Sequence, residues 1–290
     1  MIVTFISVLY NSDKYIDSYL SNFINLNNFK NHKLIINNFV DTNKYDTNNK
    51  INNFKNLFKN VKLIIKLKNN DTGLYNCWNE MIEKSDTELV CNVNPDDKIL
   101  PDFLSLLNEF NDVDLLCTPI HVIRNNINVD YWHHKKQVLI TSHKFHDSYD
   151  SKLENYRKFI ENNNIPLRFI EIKTNCFDIF DMFTFSSNNR NNIGKPKGYN
   201  AKNLAGCCPI WKKELFNKYG GFNQKEFYES ADFELWCRYL YNGAKMKCID
   251  WHMVDYTYNN ESFGNLKKDD RIVEKIFELY HPVNKISINI

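Results

Sequence analysis

The stretch Glu88-Leu-Val-Cys-Asn-Val-Asn-Pro-Asp96-Asp97 passes without interruption from an apolar, β-prone run into two adjacent carboxylates. This pattern predicts a buried strand at Leu89–Val93 whose carboxyl end is followed by the two aspartates. In an open α/β sheet, ligands bind at that edge, where paired aspartates can hold a divalent cation against a diphosphate. The alternative is a plain turn, because Asn, Pro and Asp are common turn formers.

Apolar runs of the same kind recur on both sides of this stretch. Three precede it, at Ile2–Tyr10, Lys33–Asn37 and Val61–Leu67, and one follows it at Asp114–Pro119. Between them lie segments in which apolar residues recur at helical spacing. Continuously apolar strands separated by amphipathic helices are typical of parallel βαβ units. We therefore expect an α/β fold with a doubly wound, mostly parallel sheet flanked by helices.

The expected helices follow from apolar periodicity and from capping residues. Asn11-Ser12-Asp13 is predicted to cap the first helix, and Asp71-Thr72 the third. A further strand is expected at Lys245–Ile249. The predicted helical segments are Tyr15–Phe23, Phe54–Phe58, Leu74–Met81, Phe103–Leu107, Phe227–Tyr241 and Lys268–Tyr280.

The chain is expected to form a single domain with one insertion. Residues 121–203 are polar and rich in His and Asn, and they interrupt the strand and helix alternation. Within them the pattern indicates a helix at Lys152–Glu161 and a strand at Leu167–Ile172. The apolar segment Phe177–Phe185 is open to three interpretations, which are an acceptor lid, a homodimer surface and plain core.

Composition excludes several classes of protein. The 37 Lys and Arg residues balance 35 Asp and Glu residues, so the net charge is only +2 and no nucleic-acid partner is expected. The eight cysteines form no C-x-x-C pair, which favours reduced thiols. Met1 leads into an apolar strand without a leader pattern, and no apolar run has membrane-spanning length. We expect a soluble, cytoplasmic protein without a transmembrane segment.

Three separated motifs together resemble one family, the inverting glycosyltransferases of family 2 with the GT-A nucleotide-diphospho-sugar transferase fold. Their order and spacing are more specific than any one of them. The first resembles D-x-G-[IL]-Y-x-[AS]-[MW]-N, the second N-x-D-D, and the third G-G-F followed by D-[YF]-[ED]-L-W-x-R. In this sequence they are Asp71-Thr-Gly73-Leu-Tyr75-Asn-Cys-Trp78-Asn79, Asn94-Pro-Asp96-Asp97, and Gly220-Gly221-Phe222 with Asp232-Phe-Glu234-Leu-Trp236-Cys-Arg238.

The resemblance implies a reaction and a division of the chain. Residues 1–120 would bind the nucleotide-sugar donor, and residues 204–290 would form the acceptor and catalytic half. Asp96 would bind Mn²⁺ or Mg²⁺, with Asp97 sharing the ion or orienting the donor sugar. Asp232 would be the general base that deprotonates a hydroxyl of a glycan or glycoconjugate acceptor, with Glu229 and Glu234 as substitutes.

The nucleotide is expected at the carboxyl ends of the first two strands. Tyr10 and Asn11 follow the first strand, and Asn38 and Asp41 follow the second. The family usually has an acidic D-D-x-S there, whereas this chain has Asn37-Asn38-Phe39-Val40-Asp41. The neutral amides and the resemblance favour a UDP-sugar.

The first motif is also expected to contribute to the nucleotide site. Asp71 and Asn79, around the small Gly73, would reach the base or ribose of the donor. For Asp71 the alternative is a plain helix cap, because Asp is a favoured capping residue.

Two other functions stay open. A nucleotidyltransferase uses a similar sheet and metal, but its Gly-rich basic loop is missing, since Tyr10-Asn-Ser-Asp-Lys14 has no glycine. A non-catalytic nucleotide-sugar-binding protein is the second alternative, because Asn37-Asn38 departs from the family pattern. His252 is open to two interpretations, a third metal ligand or a structural residue beside Trp251.

Overall fold

A computed structural model gives the architecture of most of the two predicted halves and short parts of the insertion. The predicted helix at 152–161, the predicted strand at 167–172, Asp41 and His252 lie outside the described residues. The structure describes residues 1–40, 46–67, 71–118, 120–124, 127–132, 176–177, 183–185, 199–201, 205–249, 253–258 and 270–280.

The strands form one large sheet and two small ones. The large sheet has the order β3-β2-β1-β4-β12-β6-β13-β9, and the small sheets are β5-β14-β7-β8 and β10-β11. The strands are β1 Val3–Tyr10, β2 Lys33–Val40, β3 Val61–Leu67, β4 Leu89–Asn92, β5 Lys98–Ile99, β6 Leu115–Cys117, β7 Ile120–Arg124, β8 Ile127–Trp132, β9 Cys176–Phe177, β10 Phe183–Phe185, β11 Tyr199–Ala201, β12 Ile210–Lys212, β13 Met246–Cys248 and β14 Val254–Tyr258.

The large sheet confirms the predicted doubly wound, mostly parallel arrangement. β1 pairs in parallel with both β2 and β4, so the chain winds outward from β1 in two directions. The carboxyl ends of β1 and β4 therefore border the crevice at the topological switch point. β12 was not predicted; it lies antiparallel between β4 and β6.

Helices flank both faces of the large sheet. Two predicted segments differ in detail: the segment after Pro101 is a 3₁₀-helix, and the segment Phe227–Tyr241 is interrupted at Tyr228, whose φ of 43° is incompatible with a continuous α-helix. The predicted cap of the first helix at Asn11-Ser12-Asp13 is wrong, because Tyr15 occupies the N-cap position and no side chain caps the helix. The α-helices are α1 Ile16–Asn25, α2 Asp46–Leu57, α3 Leu74–Lys84, α4 Lys213–Tyr219, α5 Gln224–Phe227, α6 Ala231–Tyr241 and α7 Asp270–Tyr280, and the 3₁₀-helices are Phe29–Asn31, Phe103–Glu109 and Tyr228–Ser230.

Alternation along the strands divides the core into two layers. In β2, Ile35 and Phe39 pack on the side of α3 and α6, whereas Leu34 and Ile36 pack on the side of α1 and α2. No helix in the described part of the chain is long and apolar enough to cross a membrane. The cysteines whose side chains are described are all free thiols, as predicted.

The small sheet brings the second half of the chain to the acidic motif. β14 pairs antiparallel with β5, which begins directly after Asp97, so that Asp255 lies opposite Lys98. The same strand pairs in parallel with β7. β14 is thereby placed beside the turn that follows β4.

Candidate active site

The acidic motif is a turn held from two sides. The N–H of Asp97 donates to the carbonyl oxygen of Asn94 at 3.2 Å, and Asn94 Nδ2 donates to Asp97 Oδ2 at 3.1 Å. From α1, Asn22 Nδ2 donates to the Asp97 carbonyl oxygen at 2.9 Å. The two interpretations of this stretch are thus compatible, because the turn fixes the two carboxylates at the end of the β4 segment.

Burial raises the pKa values of both carboxyl groups in the acidic motif. Asp97 is only 3% exposed, and burial together with the charge of Asp96 raises its pKa well above the usual range. Burial also raises the pKa of Asp96, and the nearby Lys14 ammonium opposes that rise. In the described structure Asp97 Oδ1 is buried without a hydrogen bond of ordinary geometry, although the backbone of Thr257 approaches the carboxyl and lowers its pKa. A buried carboxylate oxygen with unmet capacity would be stabilised by a bound cation.

The donor set fits a hard divalent cation. Carboxylate oxygens are the ligands that Mg²⁺ and Mn²⁺ prefer, and Asp96 and Asp97 supply two such groups on one turn. Among the described residues, no group of three or more His, Cys, Asp or Glu side chains is placed to hold a metal ion. A cation at this turn would therefore take further ligands from a bound diphosphate and from water.

Asp232 begins α6 and is held by two donors. Its Oδ1 accepts from the N–H of Phe233 at 2.8 Å and from the hydroxyl of Tyr75 at 3.2 Å. Tyr75 lies in α3, within the first motif, and is 5% exposed. Burial and then the charge of Asp232 raise the pKa of Tyr75 well above its usual value, so the hydroxyl stays protonated and donates.

Cys207 is the residue at which the acidic turn and Asp232 meet. Burial raises the pKa of its thiol, and the charges of Asp97, Asp96 and Asp232 raise it further. The loop containing Cys207 leads into β12 and crosses the end of β4, where Cys91 Sγ donates to the carbonyl oxygen of Cys208 at 3.5 Å. The predicted metal ligands and the predicted base thus all lie within electrostatic range of Cys207.

The sequence interpretation missed this loop. Gly206 and Cys208 have φ values of 61° and 52°, so the backbone turns sharply on either side of Cys207. The available signal was the glycine directly before the Cys207-Cys208 pair, at the point where apolar periodicity returns. A glycine in that position permits a left-handed turn that brings the backbone close to a ligand.

The start of α3 is built differently from the prediction. Asp71 Oδ1 accepts from the N–H of Gly73 at 2.8 Å, but Gly73 itself occupies the N-cap position, with φ of 89°. The first helical N–H groups are met instead by Gln224 of α5, whose Oε1 accepts from the N–H of Tyr75 at 2.9 Å. The predicted cap at Asp71-Thr72 is wrong in this respect, and contact of Asp71 and Gly73 with a nucleotide stays a prediction.

Asn79 joins the first and third motifs. Its Nδ2 donates to the carbonyl oxygen of Phe222 at 2.8 Å, and its Oδ1 accepts from the N–H of Phe222 at 2.8 Å. The carboxamide of Asn79 thus exchanges two hydrogen bonds with the backbone of Phe222, in the way that paired residues of neighbouring β-strands do. This role was not expected, and the predicted contact of Asn79 with a base or ribose stays a prediction.

Tyr10 and Asn11 lie at the carboxyl end of β1, as predicted, but Asn38 lies within β2 rather than after it, because the strand continues to Val40. Tyr10 ends β1 with 45% of its surface exposed, and Asn11 follows it with φ of 52°. Asn38 is buried and its Nδ2 donates to Asn48 Oδ1 at 2.7 Å. Asn37, in contrast, is 0% exposed and neither atom of its carboxamide has a hydrogen-bond partner in the described structure. Such a group is costly to bury unless a ligand satisfies it.

Glu234, a predicted substitute for Asp232, has a different environment. It is 1% exposed, and its carboxylate accepts from Arg238 Nε at 2.8 Å, from Arg238 Nη2 at 2.9 Å and from the Tyr280 hydroxyl at 2.5 Å. Arg238 Nη2 also donates to the carbonyl oxygen of Gly221 at 2.6 Å. The pair therefore ties α6 and α7 to the Gly220-Gly221 turn.

Comparison with solved structures identifies the fold. A crystal structure of S. aureus TarS 1-349 in complex with UDP-GlcNAc is 15% identical, with a TM-score of 0.59 over 98% of this chain and 66% of that chain. The complex of TarS 1-349 with UDP is 16% identical, with a TM-score of 0.54 over 100% of this chain and 75% of that chain. A further crystal structure of S. aureus TarS is 15% identical, with a TM-score of 0.58 over 97% of this chain and 39% of that chain.

These likenesses confirm the predicted GT-A fold. The present chain spans 66% of the TarS chain in the UDP-GlcNAc complex, so it corresponds to part of that chain. No family model matches the sequence, and no curated protein matches it. The fold is shared at a sequence identity of only 15%.

Proposed function

We propose that this protein is a metal-dependent glycosyltransferase, which moves a sugar from a nucleotide-sugar donor to an acceptor hydroxyl with inversion at the anomeric carbon. The observation that carries the proposal is the acidic turn of Asp96 and Asp97 at the end of β4 on the shared fold, with Asp232 also within electrostatic range of Cys207 beside it. A glycosyl transfer of this kind needs charge stabilisation on one side of the sugar and a base on the other.

The donor is proposed to be a UDP-sugar. Support comes from the TarS structures, which share this fold and contain UDP-GlcNAc or UDP. Within this chain, the buried and unpartnered carboxamide of Asn37 can donate to a uracil carbonyl and accept from the uracil N3–H. Tyr10, exposed at the neighbouring strand end, offers an aromatic face beside it.

Mn²⁺ or Mg²⁺ is the proposed cofactor, held by Asp96 and Asp97. When bound, the ion would neutralise charge on the departing nucleoside diphosphate. The chain prepares this site by burying Asp97 while anchoring its backbone through Asn22 and Asn94, so the carboxylates need not reorganise when the donor binds.

Asp232 is the proposed general base. As the acceptor oxygen forms its bond to the anomeric carbon, its proton passes to Asp232, and the bond to the diphosphate oxygen breaks. The acceptor is proposed to be a glycan or glycoconjugate. Asp232 is fixed for this task by the N–H of Phe233 and by Tyr75, so the carboxylate is oriented before the acceptor arrives.

Donor turnover in the presence of Mn²⁺ tests the proposal. Wild-type protein should release UDP from UDP-GlcNAc or a related UDP-sugar, slowly to water and faster to an acceptor, and chelation of the metal should stop it. Tight UDP binding without release from any donor would instead support a non-catalytic binding protein. Release of pyrophosphate from a nucleoside triphosphate and a sugar phosphate would support a nucleotidyltransferase.

A further inference from the structure

Tyr75 is held so firmly that only its hydroxyl proton can reorient. The side chain is 5% exposed, and its ring lies 5.3 Å from that of Phe222 and 5.4 Å from that of Trp78. Its backbone N–H is bound by Gln224 from α5. Close packing on both sides leaves rotation about the bond between ring and hydroxyl oxygen as the main freedom.

This hydroxyl has two acceptors and one proton. The carbonyl oxygen of Glu229 lies 3.0 Å from it, and Asp232 Oδ1 lies 3.2 Å from it. A hydroxyl can donate once and can also accept. An ionised carboxylate is the stronger acceptor, so the proton points to Asp232 while that residue is charged.

We propose that Tyr75 is a positioning residue that orients Asp232 and favours its ionised form, an inference that rests on the proposed function. While Asp232 is ionised, Tyr75 donates to its Oδ1. The proton of the acceptor hydroxyl passes to the other carboxylate oxygen, Oδ2, and Tyr75 then turns its own proton to the carbonyl oxygen of Glu229. Tyr75 itself neither gains nor loses a proton.

The physical consequence is that the Tyr75 hydroxyl has an acceptor in either state of Asp232, which is Asp232 Oδ1 or the carbonyl oxygen of Glu229. A buried hydroxyl without an acceptor would carry a desolvation cost. Several ionisable groups of the described residues surround Asp232 and enter its pH dependence. They include Tyr75 from α3, Glu229 from the adjoining 3₁₀-helix, Cys207 from the loop before β12, and Glu234 and Cys237 from α6.

Tyr75→Phe tests the inference, because it removes the hydroxyl and keeps the ring. The hydroxyl stabilises the ionised, active form of Asp232, so its loss should move the acidic limb of the kcat profile to higher pH. A charge-assisted hydrogen bond of ordinary strength corresponds to a shift of about one to two pH units. Below the wild-type midpoint, kcat should therefore fall about 10- to 100-fold. Donor affinity should be unchanged.

Tyr239→Phe is the matched control. Tyr239 is also buried, and its hydroxyl donates to the carbonyl oxygen of Gly220 at 2.9 Å, so the variant loses a comparable bond away from Asp232. Its acidic limb should stay at the wild-type pH. An unmoved limb in Tyr75→Phe, or an equal movement in both variants, would overturn the inference. Full activity of Asp232→Asn would instead overturn the proposed function on which it rests.

Discussion

The carboxamide of Asn79 pairs with the backbone of Phe222 through two hydrogen bonds of 2.8 Å, one in each direction. These bonds join two motifs that lie 143 residues apart in the chain. The same approach places Asn79 Oδ1 against Gly221, where an added Cβ would lie 2.3 Å from that oxygen and 2.4 Å from Phe216 Cε2. The predicted donor half and the predicted catalytic half are therefore fastened together beside Asp232.

Gly221→Ala should lower the free energy of unfolding by about 1–3 kcal/mol, because the new methyl group overpacks this junction. Chemical denaturation gives the value. Gly243→Ala is the contrasting control. Gly243 has φ of 93°, but no atom lies within 4 Å of an added Cβ. The free energy of unfolding of this variant should therefore fall by only about 1–2 kcal/mol, which is the cost of backbone strain. In combination with Asn79→Ala, the cost of Gly221→Ala should be less than additive; full additivity would contradict a clash between the two residues.

Asp96→Ala should abolish metal-dependent donor binding and leave the fold intact. Calorimetric titration of UDP with and without Mn²⁺ measures the effect. Asp86→Ala is the control, because Asp86 lies before β4 rather than after it, is 71% exposed and forms an ion pair with Lys33 at the surface. Wild-type affinity for UDP and Mn²⁺ in Asp96→Ala would remove this residue from the metal site.

The wild-type protein should be stabilised by UDP more than by GDP or ADP in thermal unfolding. Asn37→Leu should lose the stabilisation by UDP. Without ligand, however, the variant should be more stable than wild type by about 1–3 kcal/mol, because two unpartnered buried polar atoms are removed.

Asn38→Leu provides the comparison for that experiment. It should lower stability, since it leaves Asn48 Oδ1 without its donor, and it should retain the response to UDP. The opposite result, with UDP binding lost in Asn38→Leu and kept in Asn37→Leu, would assign base recognition to Asn38. Equal stabilisation of the wild type by all three diphosphates would mean that the base is not recognised.

Asp232→Asn should reduce kcat by about 10²- to 10⁴-fold, because the amide is nearly isosteric with the carboxylate but cannot take a proton. Affinity for donor and metal should be retained, since the acceptor is the substrate on which Asp232 acts. Rate and donor titration are measured on one preparation. Glu229→Gln is the matched control and should keep most of the activity. If Glu229→Gln instead lost the activity and Asp232→Asn kept it, Glu229 would be the base. Loss of donor binding in Asp232→Asn would place Asp232 in the nucleotide site.

Glu234→Ala should lower the free energy of unfolding by about 3–5 kcal/mol, because it removes the buried carboxylate and leaves the charge of half-buried Arg238 without its partner. Tyr280→Phe removes only one bond to the same carboxylate and should cost about 1–2 kcal/mol. Denaturant midpoints of the two variants make the comparison. A loss for Glu234→Ala no larger than that for Tyr280→Phe would show that the ion pair is not important to stability.

Much of the fold could be predicted because its signals are local. The apolar runs that became β1 to β4 and the helical spacing of α1 and α3 each depend on residues within one segment. The order of the three motifs predicted the GT-A fold, which the TarS structures share. Local pattern also placed Asp96 and Asp97 after a buried strand.

The sequence by itself thus determined the alternation of strands and helices and the position of the acidic pair, since both follow from periodicity and turn chemistry. Only the tertiary structure decided that β12 enters antiparallel between β4 and β6, and that Cys207 thereby comes to the carboxylates. It also decided that Asn79 binds the backbone of Phe222 and that Tyr75 binds Asp232. These contacts join segments far apart in the chain, and no local pattern records which distant donor will meet a given acceptor once the core is packed.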